Sequence, residues 1–295
     1  MGRALAEACP ESREVFEVAD QALGSRLTSL CFEGPDEDLK LTENTQPALV
    51  ATSVAALRAL ESRGVTPQGV AGHSLGEYSA LVAAKALTLE DAIRTVRLRG
   101  RYMQEAVPVG TGAMAAILML DPLVVQEACA EAAQGQVVSP ANLNCPGQVV
   151  IAGDAAAVDR AIAVCTRKGA RRAIRLAVSA PFHCALMKPA EQRLAADLAS
   201  LPLAPACVPV YRNVDGAPQT SAESLREGLL RQVSLPVQWQ RTLEAMWADG
   251  FDTFIEVGSG VVVSGLVKKT LKGARILNVG DPASLDETMR ALQAA

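Results

Sequence analysis

Aromatic side chains make up only 3% of this 295-residue chain, against 49% hydrophobic residues overall. A core of this size must therefore be packed with Ala, Val and Leu rather than with rings. Long apolar runs are also missing: no stretch approaches the roughly 20 residues that a membrane helix requires, and the opening MGRALAEACPE has no signal-peptide core. Gly2 does not fit a myristoylation signal, because Ala6 stands where that motif places Ser or Thr. A basic excess is absent too. The formal net charge is −4 and the pI is near 5.4, which argues against nucleic acid as a partner, since phosphate neutralisation needs a basic face. The seven cysteines, at 9, 31, 129, 145, 165, 184 and 207, show no metal-ligand spacing and leave an odd one over. They read as free thiols in a reducing cytosol, so a cytoplasmic location is expected. Histidine is the scarcest titratable group, with only His73 and His183.

GHSLGEYSA, residues 72–80, sets a serine between glycines in the GxSxG spacing, after an apolar stretch and before an apolar helical run. A strand turning sharply into a helix holds such a serine up at the turn, and only very small residues fit two before and two after it. Ser74 is therefore the candidate nucleophile, with Gly72 and Gly76 supplying room. A helix from Leu75 to Lys85 would point its free N–H groups at developing oxygen charge. The alternative is a glycine-flanked turn without chemistry. A serine needs a base, and two histidines leave few choices. His73 adjoins the nucleophile on a tight turn, so its ring should point away from the hydroxyl. His183, in SAPFHCALM, follows Pro181 and precedes helix-forming residues, a loop position that suits a base better than a packed core position does.

Ala- and Leu-rich helical segments alternate with short Val- and Ile-rich ones, an α/β pattern. Helices are expected at 3–23, 46–62 and Leu89 to Glu105, the last with a Thr88–Asp91 capping box. Strands are expected at 67–72, 208–213 and 252–257. Between Gly112 and Ser179 the order is strand, helix, strand, strand, helix, strand, the βαββαβ of a ferredoxin-like unit. The expected organisation is a discontinuous large α/β subdomain with a parallel sheet, residues 1–111 and 180–295, and an inserted small subdomain, 112–179, whose edge walls the cleft. Within the Leu89–Glu105 helix, an apolar arc faces Arg94, Arg97 and Arg101, while Arg99 falls at the arc's edge on a wheel of about 100° per residue. Periodicity favours an arginine laying its stem along the core and reaching back to water. The other reading is a guanidinium gripping a carboxylate in a two-point fork.

GHSLGEYSALVAA, TVRLRGRYMQEAVP, SPANLNCPGQVVIAG, SAPFHCALMKPA, the RQV and PVQW elements and EVGSG occur in this order. The series closely resembles the malonyl-CoA:acyl carrier protein transacylases of bacterial fatty-acid synthesis, from residue 1 to near the C-terminus. The resemblance implies an α/β-hydrolase-like large subdomain with a ferredoxin-like small one, Ser74 as nucleophile and His183 as base, oriented by a backbone carbonyl rather than by a triad carboxylate. It also implies Arg99 as holder of the malonyl carboxylate, the backbone N–H of Leu75 in the oxyanion hole, and Gln232, His73 and Asn144 as supporting residues. The implied activity is a two-step malonyl exchange through a malonyl-serine, from malonyl-CoA to the phosphopantetheine thiol of acyl carrier protein, with no metal or other cofactor and a monomeric enzyme.

The acidic carrier needs a basic surface, and CTRKGARRAIR, with Arg167, Lys168, Arg171, Arg172 and Arg175, is the densest positive run. It reads equally as a solvated helix end. Members of the resembled family begin with a strand and a GQGSQ loop that supplies the second oxyanion donor, whereas this sequence opens at the MGRAL that would follow; an activity below the family's is then expected. Ser259 stands where EVGPG is usual, and Phe182 before the histidine resembles malonyl-selective polyketide synthase domains. A serine esterase, or a non-catalytic acyl-CoA binder, is the rival reading.

Overall fold

The structure is a computed structural model that describes every residue except Val109, Ser179 and Ala295. Nine strands are present among the described residues: β1 (Val70–Ala71), β2 (Gly112–Leu118), β3 (Val138–Cys145), β4 (Gln148–Asp154), β5 (Arg172–Arg175), β6 (Val210–Tyr211), β7 (Pro218–Gln219), β8 (Thr253–Val257) and β9 (Arg275–Val279). The fold is α/β, with the nucleophile turn in a large helix-rich subdomain and a ferredoxin-like unit inserted into it. The large subdomain carries two short sheets. In one, β1 pairs with β6 in parallel and β6 with β7 antiparallel; in the other, β8 runs parallel to β9. The strands expected at 67–72 and 208–213 are cut to two residues each. Pro209, just upstream of β6, has no N–H with which to extend the ladder, and beyond Ala71 the chain turns at once into the serine elbow.

The expected 3–23 helix is two, Arg3–Ala8 and Pro10–Leu23, because the residue before a proline is driven from the helical region and Cys9 is extended, with φ −127°. The helix expected at 46–62 begins earlier, spanning Thr42–Glu61 with Pro47 inside. Pro47 cannot donate to the Glu43 carbonyl four residues before it. That carbonyl instead accepts from Arg97 Nη1 at 3.4 Å, so a neighbouring helix offsets the break. The neighbour is Leu89–Glu105, where the Thr88 hydroxyl accepts the Asp91 N–H at 3.1 Å and donates to the Asp91 carboxylate at 2.9 Å. The two helices cross closely at Gly100, where a Cβ would stand 2.6 Å from the Thr42 carbonyl oxygen.

In the inserted unit the order is β3-β4-β2-β5, antiparallel throughout. Helices Pro122–Ala133 and Ala155–Arg167 lay Val125, Ala128, Ala157, Val158 and Ala161 on one face of it, against Ala115, Ile117 and Ile151. Small side chains on the helices, packed against aliphatic ones on the sheet, fill the interface without rings, as the scarcity of aromatics requires. The last strand of the expected order is short, Arg172–Arg175, and the unit's expected end at Ser179 lies outside the described residues. A parallel bridge, Leu143 N–H to the Val237 carbonyl and Val237 N–H to the Ala141 carbonyl, both at 2.9 Å, ties β3 to the large subdomain. No helix among the described residues is long and apolar enough to cross a membrane.

Candidate active site

Strand β1 ends at Ala71, and the elbow follows. A Cβ on Gly72 would lie 1.9 Å from the Gly76 carbonyl oxygen, so only glycine fits there, whereas a Cβ on Gly76 would meet nothing within 4 Å. The steric demand expected of both glycines thus falls on Gly72. Ser74 takes the left-handed conformation, φ 50°, a strained state for a non-glycine residue that persists where the surroundings over-determine it. Those surroundings include Asn213, whose side-chain oxygen accepts the Ser74 N–H at 2.6 Å and whose amide donates to the Gly72 carbonyl at 2.7 Å. The elbow helix, Gly76–Ala83, starts from Leu75 as N-cap. The Leu75 N–H has no acceptor among the described residues.

Ser74 Oγ lies 2.7 Å from His183 Nε2, and His183 Nδ1 lies 2.7 Å from the Gln232 carbonyl oxygen. A carbonyl can only accept, so Nδ1 carries the proton and the Nε2 lone pair faces the hydroxyl. His183 also has a positive φ, 60°, and is only 3% exposed. Burial, reinforced by the positive charge of Arg99, pulls its pKa from 6.5 to about 3, keeping the imidazole neutral.

Arg99, 2% exposed, does not reach back to water. Its Nη1 donates to Gln46 Oε1 at 2.8 Å, and its Nη2 to Gln232 Oε1 at 2.7 Å and to Ser74 Oγ at 3.3 Å, with the guanidinium 5.9 Å from the Tyr78 ring centroid. Among the described residues Arg99 makes no ion pair, and its Nε has no hydrogen-bond partner. A buried cation held by two amide oxygens and a hydroxyl, with no carboxylate in direct contact, attracts an anion brought beside the serine. His73 is turned elsewhere: its Nε2 lies 2.8 Å from Asn144 Oδ1 and its ring 5.3 Å from that of Trp239.

Of the basic run, Arg167 and Lys168 contact Glu131 at 3.1 and 3.7 Å, and Arg175 contacts Asp159 at 2.8 Å. Arg171 and Arg172 are exposed and make no ion pair among the described residues.

Three residues of the constellation escape sequence reasoning: Gln46, Asn213 and Glu77. Glu77 is buried, accepts hydrogen bonds from Asn213 N and Gln232 Nε2, and is pushed by burial from a pKa of 4.5 to about 7. Its position three residues after the nucleophile, on the first turn of the elbow helix, was the available signal; Gln46 and Asn213 offered none beyond being polar.

A family model described as acyl transferase domain matches residues 1–288. The malonyl CoA-acyl carrier protein transacylase of Escherichia coli (strain K12) is 48% identical over 282 residues, covering 95% of this chain and 91% of that protein. The enzyme of the same name from Bacillus subtilis (strain 168) is 45% identical over 294 residues, covering 99% and 93%. Among solved structures, a malonyl-transacylase in complex with its type II PKS acyl-carrier protein superposes with a TM-score of 0.96 at 47% identity, covering 99% of this chain and 94% of that one.

Proposed function

This chain belongs to the acyl transferase family, and from that premise we infer that it moves the malonyl group of malonyl-CoA to the phosphopantetheine thiol of an acyl carrier protein, in fatty acid or polyketide biosynthesis. The observation that carries the reading is the convergence on Ser74 Oγ of a neutral histidine nitrogen at 2.7 Å and a buried guanidinium nitrogen at 3.3 Å. One supplies a base, the other a seat for a carboxylate.

In this reading His183 Nε2 takes the Ser74 proton as Oγ attacks the thioester carbon. The tetrahedral oxyanion receives the Leu75 N–H. As the C–S bond breaks, His183 returns the proton to the CoA sulfur, leaving malonyl-Ser74 with its carboxylate on Arg99. The carrier thiol then repeats the sequence in reverse: its proton goes to His183, its sulfur attacks the ester carbon, and Ser74 recovers the proton. Gln232 serves twice, its carbonyl orienting His183 and its side-chain oxygen orienting Arg99, while His73 and Asn144 brace the elbow against β3. The organisation is a catalytic subdomain of residues 1–111 and 180–295 around an insert at 112–179. The enzyme works as a cytoplasmic monomer and needs no cofactor beyond its CoA substrate. Arg171 and Arg172, with Arg167 and Lys168 beside them, form the surface that meets the acidic carrier.

The test is intact mass after incubation with malonyl-CoA. A malonyl adduct is expected on the wild-type chain and none on Ser74→Ala; adding carrier protein should move the adduct to the carrier. An unmodified wild-type chain would overturn the reading, and release of free malonate without any malonyl-carrier would identify a hydrolase instead.

A further inference from the structure

Glu77 begins the second layer of the site. Its N–H donates to the Ser74 carbonyl at 3.1 Å, and its side chain is enclosed, 1% exposed. Oε2 accepts two hydrogen bonds, from the Asn213 N–H at 3.1 Å and from Gln232 Nε2 at 2.9 Å, while Oε1 has no partner among the described residues. Burying a carboxyl group is costly unless its hydrogen bonds offset the lost water. The two that it makes go to the residues that hold the serine elbow and the guanidinium.

The side-chain amide of Gln232 has ends of nearly equal shape and opposite hydrogen-bonding sense. In the observed orientation its oxygen faces Arg99 Nη2 at 2.7 Å, and its nitrogen faces two acceptors, the Ser74 carbonyl at 3.1 Å and Glu77 Oε2 at 2.9 Å. Turned over, it would set an NH₂ against the guanidinium, donor to donor, and an oxygen against two oxygens. Without Glu77 only the Ser74 carbonyl would oppose that rotation from the nitrogen side.

We propose that Glu77 is a positioning residue that fixes the Gln232 amide, and through it the Arg99 guanidinium, so that it sets the preference for acyl groups bearing a carboxylate. This rests on the reading of Arg99 as the carboxylate seat. The working feature is the Oε2 acceptor rather than the charge. With its pKa near 7, Glu77 holds a proton part of the time at neutrality, and a proton on the unpartnered Oε1 leaves Oε2 able to accept as before. Glutamine at this position presents the same acceptor. Aspartate keeps the charge but is one methylene shorter and withdraws the acceptor; alanine removes it.

The experiment measures the rate of Ser74 loading from malonyl-CoA and from acetyl-CoA by intact mass, in wild type, Glu77→Gln, Glu77→Ala and Glu77→Asp, with a melting curve for each. A purely structural contribution would slow both acyl groups alike. We expect Glu77→Ala to lower the malonyl-to-acetyl ratio about tenfold or more, the scale of a lost hydrogen bond that holds a charged group, and Glu77→Gln to stay within about threefold of wild type. Should Glu77→Ala not fold, Glu77→Asp carries the same expectation of a lowered ratio. Equal slowing of both acyl groups in the folded alanine or aspartate variant, or a Glu77→Gln ratio as low as theirs, would overturn the proposal. A wild-type chain that discriminates between the acyl groups no better than Arg99→Ala would instead overturn the carboxylate seat itself, whatever Glu77 does.

Discussion

Ser74 Oγ and His183 Nε2 meet at 2.7 Å across 109 residues of sequence, and both residues stand in left-handed backbone, with φ 50° and 60°. Each is held by a partner on a third segment: Asn213 fixes the serine amide and the Gln232 carbonyl fixes the imidazole. The strained conformations at both ends of the contact are sustained by tertiary hydrogen bonds. The segment carrying Asn213 and Gln232 thus functions as a frame for the pair.

Replacing Arg99 by alanine is expected to collapse the selectivity for malonyl over acetyl groups. Loss of one partner from a desolvated charge pair costs about 2–5 kcal/mol, about 30-fold or more in rate ratio. An acetyl group has no carboxylate to leave unpaired. Loading rates from the two CoA esters check this; equal losses for both would mark Arg99 as structural.

The loading rate should stay level as pH falls through 6.5. With the pKa of His183 drawn to about 3, its Nε2 remains unprotonated where an ordinary imidazole would have lost half its base. Quenched-flow loading from pH 8 down to about pH 5 measures this, and an inflection near 6.5 would contradict it. Stability carries the same sign. The unfolded chain binds a proton at this histidine below about 6.5 and the folded chain does not until about 3, so the contribution of His183 is full above 6.5 and declines as pH falls toward 3. Glu77 acts oppositely: its folded pKa of about 7 lies above the ordinary carboxyl value of 4.5, so its contribution declines as pH rises from 4.5 through 7. Glu77→Gln should remove that second slope from a pH series of melting temperatures.

Gly100→Ala should destabilise the protein and loosen Arg99. The new Cβ would stand 2.6 Å from the Thr42 carbonyl oxygen and 2.7 Å from the Glu43 Cα, both backbone atoms of the crossing helix. Overpacking of this kind costs about 1–3 kcal/mol. Separating the helices also pulls Arg99 from Gln46. Calorimetry should show a lower Tm for Gly100→Ala than for Gly76→Ala, where the added methyl meets nothing within 4 Å; equal values would contradict the close crossing.

Charge reversal at Arg171 and Arg172 should raise KM for the carrier protein while leaving the rate of malonyl loading from CoA intact. Their guanidinium groups make no ion pair among the described residues and stay available to an acidic surface. Steady-state transfer at varied carrier concentration, repeated at higher salt, gives the measurement; an unchanged KM would remove these residues from the docking surface.

Short-range physics made part of this protein legible in its sequence. The GHSLG spacing announces a strand-turn-helix because the crowding at Gly72 acts within four residues. The Leu89–Glu105 helix shows its ends and its apolar arc because caps and the 3.6-residue repeat are local. The βαββαβ order of the insert could likewise be read from strand and helix patterns, and the scarcity of histidine pointed to His183. Periodicity favours water for Arg99 and misses its buried seat, because that seat is built by Gln46 and Gln232, 53 and 133 residues away. Glu77 carries only its place three residues after the serine, and Gln46 and Asn213 carry no local mark at all, since a polar side chain obeys the same helix and strand propensities whether it faces solvent or the core. Only the tertiary structure, by removing water and requiring every buried donor and acceptor to find a partner, decides which polar residues build the site.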